Sequence, residues 1–327
     1  MKKITYDRRW EGSHGIGRFS TEITKRLTFN HYLNSKVKPT SIFDVFVTAW
    51  TLMFNRDIFF TPGFNAPYVS ANRSIITIHD LNHIDMPGNS SFLKRVYYDL
   101  ILKRGCRKAL VIFTVSEFSK KRIVDWSGVE RSKVIVVGNG VSKAFSPLVE
   151  PYNPGYRYLF CVSNRKAHKN EIRLIQAFAQ AETGNDVILL LSGNTTPELS
   201  DLIGQLKLNE RVKFTGFIKD NELPSYYRGA TALIMPSLYE GFGLPVIEAM
   251  ACGVPTIASR TTSLGEIAGD CALLVDPTSI EDIANSISHL FMDSELRQHL
   301  SERGLEHVKL YTWDKTVKKI EDAISAI

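Results

Sequence analysis

Short apolar runs alternate with longer amphipathic segments along most of this chain. The apolar runs are rich in Ile, Val, Leu and Phe, which is typical of buried strands. We predict strands at 4–6, 58–61, 74–78, 110–115, 134–137, 158–162, 187–192, 212–215, 232–235, 256–258 and 272–275. Helical periodicity falls between them, at 17–27, 92–103, 117–126, 170–181, 197–206, 221–229, 244–250 and 280–293. Such alternation builds parallel sheets with helices on both faces, so the predicted fold class is α/β.

The length of 327 residues suits two domains of about 150 residues each. A stretch containing Pro147, Pro151 and Pro154 has no periodicity and is typical of a linker. The predicted division is a doubly wound, Rossmann-like domain, a linker, a second such domain and a final helix. Their bounds are 1–145, 146–157, 158–310 and 311–327.

The formal charge is unevenly distributed. Residues 1–150 hold 23 Lys and Arg against 12 Asp and Glu, a balance of +11, whereas the remaining residues hold 17 against 22. A basic half indicates an anionic partner. Its basic residues lack the interleaved aromatic residues of a single-strand binder, so we expect no nucleic acid. An anionic membrane surface or a pyrophosphate-linked acceptor fits better, with basic clusters at 94–95, 103–104, 107–108 and 120–122.

Cysteine spacing and hydropathy bear on the compartment. Cys106, Cys161, Cys252 and Cys271 form no C-x-x-C pair, which favours buried thiols in a reducing cytosol. No signal peptide is evident, and no apolar run approaches the roughly 18 residues of a spanning helix. We therefore expect a cytoplasmic protein, with any membrane contact peripheral at the inner face of the cytoplasmic membrane.

The most informative pattern is a pair of carboxylates eight positions apart, Glu240 and Glu248. Gly241 and Gly243 follow the first and leave backbone N–H groups accessible, and the second lies on a helix whose N-terminus favours a diphosphate. Carboxylates accept hydrogen bonds from vicinal hydroxyls. The arrangement therefore suits a nucleotide sugar, although two solvated glutamates on a surface helix would give the same spacing.

The stretch 232–277 resembles the donor-binding signature of the family-4 retaining glycosyltransferases. Other motifs of that family occur in its order: Gly15-Ile16-Gly17-Arg18, His79-Asp80-Leu81, Val115-Ser116-Glu117-Phe118-Ser119, Asn139-Gly140-Val141 and Arg165-Lys166-Ala167-His168-Lys169-Asn170. The resemblance therefore covers essentially the whole chain. Gly265 departs from it, because the family more often has Pro there; we expect a looser loop with Glu266 kept in place.

The resemblance implies a GT-B fold, in which two Rossmann-like domains face each other across a cleft and a C-terminal helix returns to the first. The first domain would bind the acceptor and the second the nucleotide-sugar donor. No Asp-x-Asp run is present to hold a metal, so the reaction is expected to need no metal or other cofactor. Arg165 and Lys169 are then the predicted diphosphate ligands, four residues apart at a helix start.

The remaining site residues follow from the same resemblance. Catalytic roles fall to His79, beside the reacting sugar, and to Arg165, Lys169 and Glu240. Further donor contacts are expected from Gly15, Gly17, Phe217, Ile218, Gly241, Phe242, Gly243, Leu244 and Glu248. The first two glycines could equally form only a turn, and Phe217 and Ile218 could equally be core residues.

Donor and acceptor are less defined than the reaction. Phe60-Thr61-Pro62 and Pro67 resemble bacterial transferases that add mannose or rhamnose to lipid-linked surface polysaccharides. GDP-mannose is the first candidate donor, followed by UDP- or dTDP-linked sugars. The acceptor would be a saccharide or an undecaprenyl-pyrophosphate-linked saccharide of lipopolysaccharide, capsule or exopolysaccharide. A nucleotide-sugar epimerase, a glucan-synthase-like enzyme and a non-catalytic nucleotide-sugar binding subunit remain open.

Overall fold

The chain divides into two compact units, each with its own parallel sheet. The computed structural model describes residues 3–12, 15–33, 35–41, 43–86 and 91–327. The first unit consists of Met1–Gly140 with Trp313–Ile327, and the second of Val141–Thr312.

The sheet of the first unit has six strands within the described residues. They are β1 Ile4–Asp7, β2 His31–Leu33, β3 Ile58–Thr61, β4 Ser74–Thr77, β5 Val111–Thr114 and β6 Val134–Val136. The order is β2-β1-β3-β4-β5-β6, and every pairing is parallel. Starting from β1, the chain adds β2 on one side and then β3 to β6 on the other, as in a doubly wound fold.

Helices of the first unit lie between these strands. They are α1 Gly15–Thr24, α2 Asp44–Met53, α3 Asn82–Asp85, α4 Phe92–Tyr97, α5 Lys103–Lys108 and α6 Glu117–Ser127. A π-helical turn, Tyr98–Leu102, joins α4 to α5. The predicted helix at 92–103 is thus confirmed as helical but is longer and contains a change of pitch.

The sheet of the second unit repeats this plan with six strands in its described residues. They are β7 Arg157–Cys161, β8 Val187–Leu191, β9 Val212–Phe214, β10 Ala232–Met235, β11 Thr256–Ser259 and β12 Leu273–Val275. The order is β12-β11-β10-β7-β8-β9, again parallel throughout. Here the chain starts at β7, adds β8 and β9 on one side, and then adds β10 to β12 on the other.

Helices of the second unit cover both faces of its sheet. They are α7 Glu171–Gln180, α8 Pro197–Gln205, α9 Leu223–Gly229, α10 Leu244–Ala251, α11 Thr262–Ala268, α12 Ile280–Met292 and α13 Ser294–His307. Short side chains begin several of them: Thr196 caps α8 before a proline, and Ser279 caps α12 by accepting from the Asp282 N–H. These caps fix where each helix leaves the sheet edge.

The last helix, α14 Trp313–Ser325, belongs to the first unit. Trp313, Val317 and Ile320 are buried in the core formed by β1, β3 and β5, and the Trp313 ring contacts Phe19 edge-on. The predicted return of the C-terminal helix to the first domain is confirmed.

The segment predicted as a linker, 146–157, is grouped with the second unit. The Tyr152 N–H donates to the Ser225 carbonyl at 2.9 Å, and the Tyr152 ring stacks on Tyr226 with centroids 4.2 Å apart. These contacts attach an otherwise irregular, proline-containing segment to α9.

No helix among the described residues is both long and apolar enough to cross a bilayer.

Candidate functional site

The site in the second unit lies at the carboxyl ends of β7 and β10. These strands are neighbours in the sheet but their connections leave in opposite directions, so their loops part and leave a crevice between them. The loop after β7 carries Lys169, and the loop after β10 carries Glu240. The Lys169 ammonium and the Glu240 carboxylate meet in an ion pair of 2.7 Å, with side chains about one-seventh exposed.

Asn170 fixes the position of Lys169. It adopts a left-handed conformation with φ +62° at the start of α7. Its side-chain amide donates to the carbonyls of Pro236 at 2.8 Å and Pro277 at 2.7 Å. A single buried amide therefore ties together the loops after β7, β10 and β12, and it holds Lys169 against the β10 loop.

Glu240 is held through its backbone by the start of α11. The Ser263 hydroxyl donates to the Glu240 carbonyl at 2.8 Å, and the Glu240 N–H donates to the Thr262 hydroxyl at 3.4 Å. Thr262 itself has φ +58°, which is strained for a β-branched residue. The main-chain direction at Glu240 is thus set independently of its carboxylate, which points to Lys169.

Gly243 explains why the loop between Glu240 and α10 needs glycine. Its φ is +105°, and a Cβ at this position would lie 2.5 Å from Leu264 Cδ2. Gly241 and Phe242 are buried with it, and the Phe242 ring contacts Tyr311 edge-on. Leu244 is half-buried and begins α10, with Pro245 in its first turn.

Glu248 differs from Glu240 in its surroundings. It lies within α10, is 3% exposed and accepts a hydrogen bond of 2.9 Å from the Tyr227 hydroxyl. Tyr227 is itself fully buried, on α9. The two carboxylates that the sequence pairs are therefore a half-buried one at the sheet edge and a buried one behind it.

The Arg165 guanidinium is engaged by protein groups. Its Nε donates to the Asn194 carbonyl at 2.6 Å, its Nη2 donates to the Ser192 carbonyl, and its Nη1 contacts the Glu171 carboxylate. It also lies over the Phe214 ring. Of the two predicted diphosphate ligands, Lys169 faces the crevice, whereas Arg165 holds the loop after β8.

Phe217 and Ile218 follow β9. Phe217 is 87% exposed, so the alternative that it belongs to the core is wrong, and Ile218 is half-buried. Their loop is tied to the loop after β8 by paired hydrogen bonds between Gly193 and Gly216. Since β9 lies two strands from β7, the ends of these two strands are about 10 Å apart along the sheet edge.

The first unit holds the other three predicted residues. Gly15 and Gly17 begin α1, and a Cβ on Gly17 would lie 2.4 Å from the Gly12 carbonyl oxygen, so close packing demands glycine there. His79 follows β4 and is half-buried; its Nε2–H donates to the Pro62 carbonyl at 2.9 Å. That bond fixes the ring orientation relative to the loop after β3.

Gly265 corrects one expectation. It lies inside α11 rather than in a loop, and a Cβ there would approach the Arg260 carbonyl oxygen to 2.5 Å. The glycine therefore allows the chain before α11 to pass close to the helix, and it does not loosen the segment.

Sequence reasoning missed the residues that brace the site. From the sequence, Asn170 is only the last residue of a motif, and nothing singles out Tyr227, Thr262 or Ser263. Asn followed by a helix is a recognised signal for a left-handed or capping residue and could have identified Asn170. The hydroxyl partners gave no signal, because their spacing from Glu240 and Glu248 becomes meaningful only in the folded unit.

Solved structures share this fold over the full chain. HepE from Anabaena, solved with UDP, covers 100% of both chains with a TM-score of 0.80 at 19% identity. WaaG, a glycosyltransferase involved in lipopolysaccharide biosynthesis, covers 98% of both with a TM-score of 0.74 at 14% identity. At these identities the likeness concerns the fold, and the predicted GT-B fold is confirmed.

Relatives with higher identity are bacterial transferases. The O-antigen chain mannosyltransferase B of Escherichia coli is 30% identical over 284 residues, 81% of this chain and 74% of that protein. The O-antigen chain mannosyltransferase RfbU of Salmonella typhimurium is 30% identical over 66% of this chain and 60% of its own length. WbdA of Escherichia coli, a serotype-specific mannosyltransferase, is 25% identical over 78% of this chain but only 33% of its length.

Two family models divide the chain between them. The Glycosyltransferase Family 4 model matches residues 42–145, and the Glycosyl transferases group 1 model matches residues 145–307, which include Lys169, Glu240 and Glu248. Together with the relatives and the fold, these matches show that the chain is a glycosyltransferase of the GT-B class and belongs to family 4.

Proposed function

We propose that this enzyme is a retaining, metal-independent hexosyltransferase that uses a nucleoside-diphosphate sugar, with GDP-mannose as the first candidate. The observation that carries the proposal is the Lys169–Glu240 ion pair in the crevice between β7 and β10. It offers a cation for the diphosphate and a carboxylate for sugar hydroxyls within one contact. The names of the relatives support mannose and surface polysaccharide, and the UDP complex of HepE keeps uridine donors in consideration.

The diphosphate would bind Lys169 and the backbone N–H groups at the start of α10. The ammonium supplies a full charge, and the left-handed Gly243 lets the chain enter α10 directly after the Glu240 loop, so that a helix N-terminus lies next to this loop in the chain. Glu240 would accept from hydroxyls of the transferred sugar. Before the donor binds, Lys169 and Glu240 pair with each other, so neither partly buried charge is left without a counter-ion.

The nucleoside would extend toward Phe217. The exposed ring follows β9, whose end lies about 10 Å along the sheet edge from that of β7, and it offers a stacking surface for a base. Arg165 would act indirectly here, because its contacts with the Ser192 and Asn194 carbonyls shape the intervening loop. Glu248 remains the predicted ribose ligand.

Transfer with retention would proceed on one face of the sugar. The bond between the anomeric carbon and the diphosphate oxygen breaks, and a bond to the acceptor hydroxyl oxygen forms on the same face. The hydroxyl proton passes to the departing phosphate. Lys169 would stabilise the charge that grows on that phosphate, which is the largest single contribution we expect from a side chain of this unit. The predicted role of His79 is to hydrogen-bond the sugar.

The acceptor would be a saccharide attached to a lipid pyrophosphate. Support comes from the O-antigen transferases among the relatives and from the excess of basic residues in the first 150 positions. An acceptor of this kind carries its own negative charge, which a basic unit attracts.

A thermal-shift panel tests the donor proposal. The full chain is heated with GDP, UDP, dTDP and ADP and their common sugars, with EDTA present throughout. We expect one nucleotide and its sugar to raise the Tm by several degrees, since saturating ligand stabilises by about 3–4 kcal/mol. A shift that appears only when a divalent cation replaces EDTA would overturn metal independence. No shift with any nucleotide would overturn the donor site itself.

Product analysis separates the proposal from the other reactions. We expect the nucleoside diphosphate to accumulate only when a saccharide acceptor is present, with the sugar transferred in its original anomeric configuration. Conversion of the nucleotide sugar without an acceptor would indicate an epimerase, and transfer to an α-glucan primer would indicate a glucan synthase.

A further inference from the structure

Helix α2 of the first unit turns an apolar face to solvent. Five large side chains lie along it at helical spacing, each between 61% and 74% exposed: Phe43, Phe46, Trp50, Met53 and Phe54. The Trp50 and Phe54 rings lie 4.9 Å apart. We call these five residues the aromatic stripe. The only charged residue in 43–54 is Asp44, which is buried on the opposite side.

The opposite side of α2 is anchored, so the stripe cannot simply rotate inward. Asp44 pairs with Arg9 at 2.6 Å and accepts from the Asn65 amide at 3.1 Å. Leu52 is buried against Leu33 and Phe59 beneath the helix. A buried ion pair at one end and an apolar contact at the other fix which face of α2 is exposed.

The helical segment α4 to α5 has the same character. Phe92, Leu93 and Leu100 are each more than 60% exposed. Residues 91–108 contain six basic residues and one acidic residue, and Lys94 and Arg95 are exposed next to the apolar side chains. Apolar and cationic groups thus alternate on this segment.

The loop between β3 and β4 connects the two helical segments. At one end the Tyr97 hydroxyl donates to the Phe64 carbonyl at 3.1 Å, next to Asn65, which contacts Asp44 of α2. At the other end Arg104 donates to the Tyr68 carbonyl at 2.7 Å and lies over the Tyr68 ring.

The same loop reaches the end of α2. Arg73 donates to the Leu52 carbonyl and to the Ser70 hydroxyl at 3.0 and 2.9 Å. Tyr68 and Val69, both partly exposed, lie in this loop between the two helical segments. The stripe and the basic segment are therefore parts of one region of the first unit.

We propose that this region is a bilayer-docking surface, in which the aromatic stripe inserts among lipid headgroups and acyl chains while Lys94 and Arg95 contact anionic headgroups. Charge complementarity favours lipid over a protein partner: a helix face with no exposed charge stands beside a segment with six cations and one anion. Trp and Phe with neighbouring Lys and Arg are the side chains that surface-bound helices use. The inference goes beyond the donor site and does not depend on it.

Vesicle flotation of the full chain tests the proposal without any nucleotide sugar. We expect flotation with phosphatidylcholine vesicles that contain phosphatidylglycerol, and much less with phosphatidylcholine alone. The double substitution Phe46→Ser and Trp50→Ser should lower binding about tenfold or more, and Lys94→Gln with Arg95→Gln should lower it to a similar extent only on anionic vesicles. All four residues are exposed, so folding should be unaffected.

A matched control uses equally exposed apolar residues of the second unit. Met292 and Leu310 are 66% and 60% exposed, and Met292→Ser with Leu310→Ser should leave flotation unchanged.

Quenching of tryptophan fluorescence by brominated lipid gives an independent readout. Trp50 is exposed whereas Trp10, Trp126 and Trp313 are buried or half-buried, so quenching should disappear in Trp50→Phe while that variant still floats.

Three results would overturn the proposal. One is failure of the wild-type chain to float on anionic vesicles, and another is equal flotation of the Phe46→Ser, Trp50→Ser variant. The third is a concentration-dependent dimer, seen by light scattering without lipid, that the same double substitution abolishes, since a second copy would then cover the stripe. None of these outcomes affects nucleotide binding, so they are distinguishable from failure of the donor site.

Discussion

Lys169 and Glu240 are brought together by residues on three loops, and these residues preorganise the ion pair on which the proposed donor site rests. Asn170 ties the loops after β7, β10 and β12, while Ser263 and Thr262 fix the Glu240 backbone. A preorganised cation needs little rearrangement as charge develops on a leaving group. The side chains of the pair are about one-seventh exposed, so their electrostatic interaction is stronger than that of a fully solvated pair.

Arg165 is the residue for which sequence and structure suggest different roles, and stability measurements can distinguish them. If the guanidinium supports the Ser192 and Asn194 carbonyls and pairs with buried Glu171, then Arg165→Met should cost roughly 3 kcal/mol of unfolding free energy. Urea unfolding measures this. Adding Glu171→Gln should recover part of the loss, because the unpaired buried charge is removed.

A second outcome of the Arg165→Met experiment would contradict the structural role. If Arg165→Met left the unfolding free energy unchanged but weakened nucleoside-diphosphate binding tenfold or more, the side chain would be a direct diphosphate ligand, as the sequence motif predicts.

Glu248 yields a prediction about the ribose. Its carboxylate is buried and bonded to Tyr227, so a ribose hydroxyl would compete for an oxygen already held in place. If Glu248 binds the ribose, wild-type enzyme should bind the ribonucleoside diphosphate that raises the Tm most about tenfold more tightly than its 2′-deoxy analogue, the contribution of one hydrogen bond to a charged group. Calorimetry measures the difference, and Glu248→Gln should reduce it. Equal affinities in the wild type would exclude a hydrogen bond between the ribose 2′-hydroxyl and Glu248.

At the scale of elements, the glycine before α10 is required by its backbone conformation. Gly243 has φ +105° and no room for a Cβ beside Leu264, whereas Gly204 lies in α8 with open space around it. Gly243→Ala should therefore destabilise the protein by about 1–3 kcal/mol, and Gly204→Ala should stabilise it by about 0.5–1 kcal/mol. Thermal unfolding measures both. If Gly243→Ala left the stability unchanged or raised it, the turn into α10 would not be strained.

Sequence periodicity predicted eleven of the twelve described strands, missing the short, mostly exposed edge strand β2, and it predicted the helices less completely. Apolar runs such as 58–61 and 232–235 coincide with β3 and β10, because a strand buried on both faces is apolar throughout. Helix α2 was not predicted, since its large apolar residues face solvent and the usual amphipathic pattern is inverted. Helix α13 was missed because it is strongly polar and so has little apolar periodicity; it buries few residues, Leu300 and Gly304 among them.

The residue types of the candidate site could be predicted from sequence, but their arrangement could not. The spacing of Glu240 and Glu248 indicated two carboxylates near a helix start, and the position of Lys169 after a strand indicated a cation at the same sheet edge. Arg165 donates to backbone carbonyls of the loop after β8, and this loop is distant in sequence from the motif that contains Arg165. Burial of Glu248 against Tyr227 likewise depends on how α9 packs on α10.

At the scale of the whole molecule, the four cysteines report on the integrity of both units. Cys106 lies in the first unit and Cys161, Cys252 and Cys271 in the second, and all four are buried and unpaired. Burial raises the pKa of Cys106, Cys161 and Cys252 to about 12. At pH 8 the thiolate fraction of each is then about one in ten thousand.

Thiol labelling follows from this burial. Native enzyme at pH 8 should react with a disulfide reagent only on the timescale of unfolding, and denatured enzyme should release four equivalents at once. Fast reaction of any cysteine in the native state would show that its surroundings are more open than the packed core described above.

Direct measurement of nucleoside-diphosphate affinity in Lys169→Ala and Lys166→Ala tests the central claim, that the Lys169–Glu240 pair forms the donor site. The two lysines lie three residues apart, but Lys166 is exposed and Lys169 faces Glu240. With the nucleotide that raises the Tm most, calorimetry should show a 10- to 100-fold weaker Kd for Lys169→Ala, about 1.5–3 kcal/mol, and an unchanged Kd for Lys166→Ala. Wild-type affinity in Lys169→Ala, or equal losses in both variants, would contradict the account.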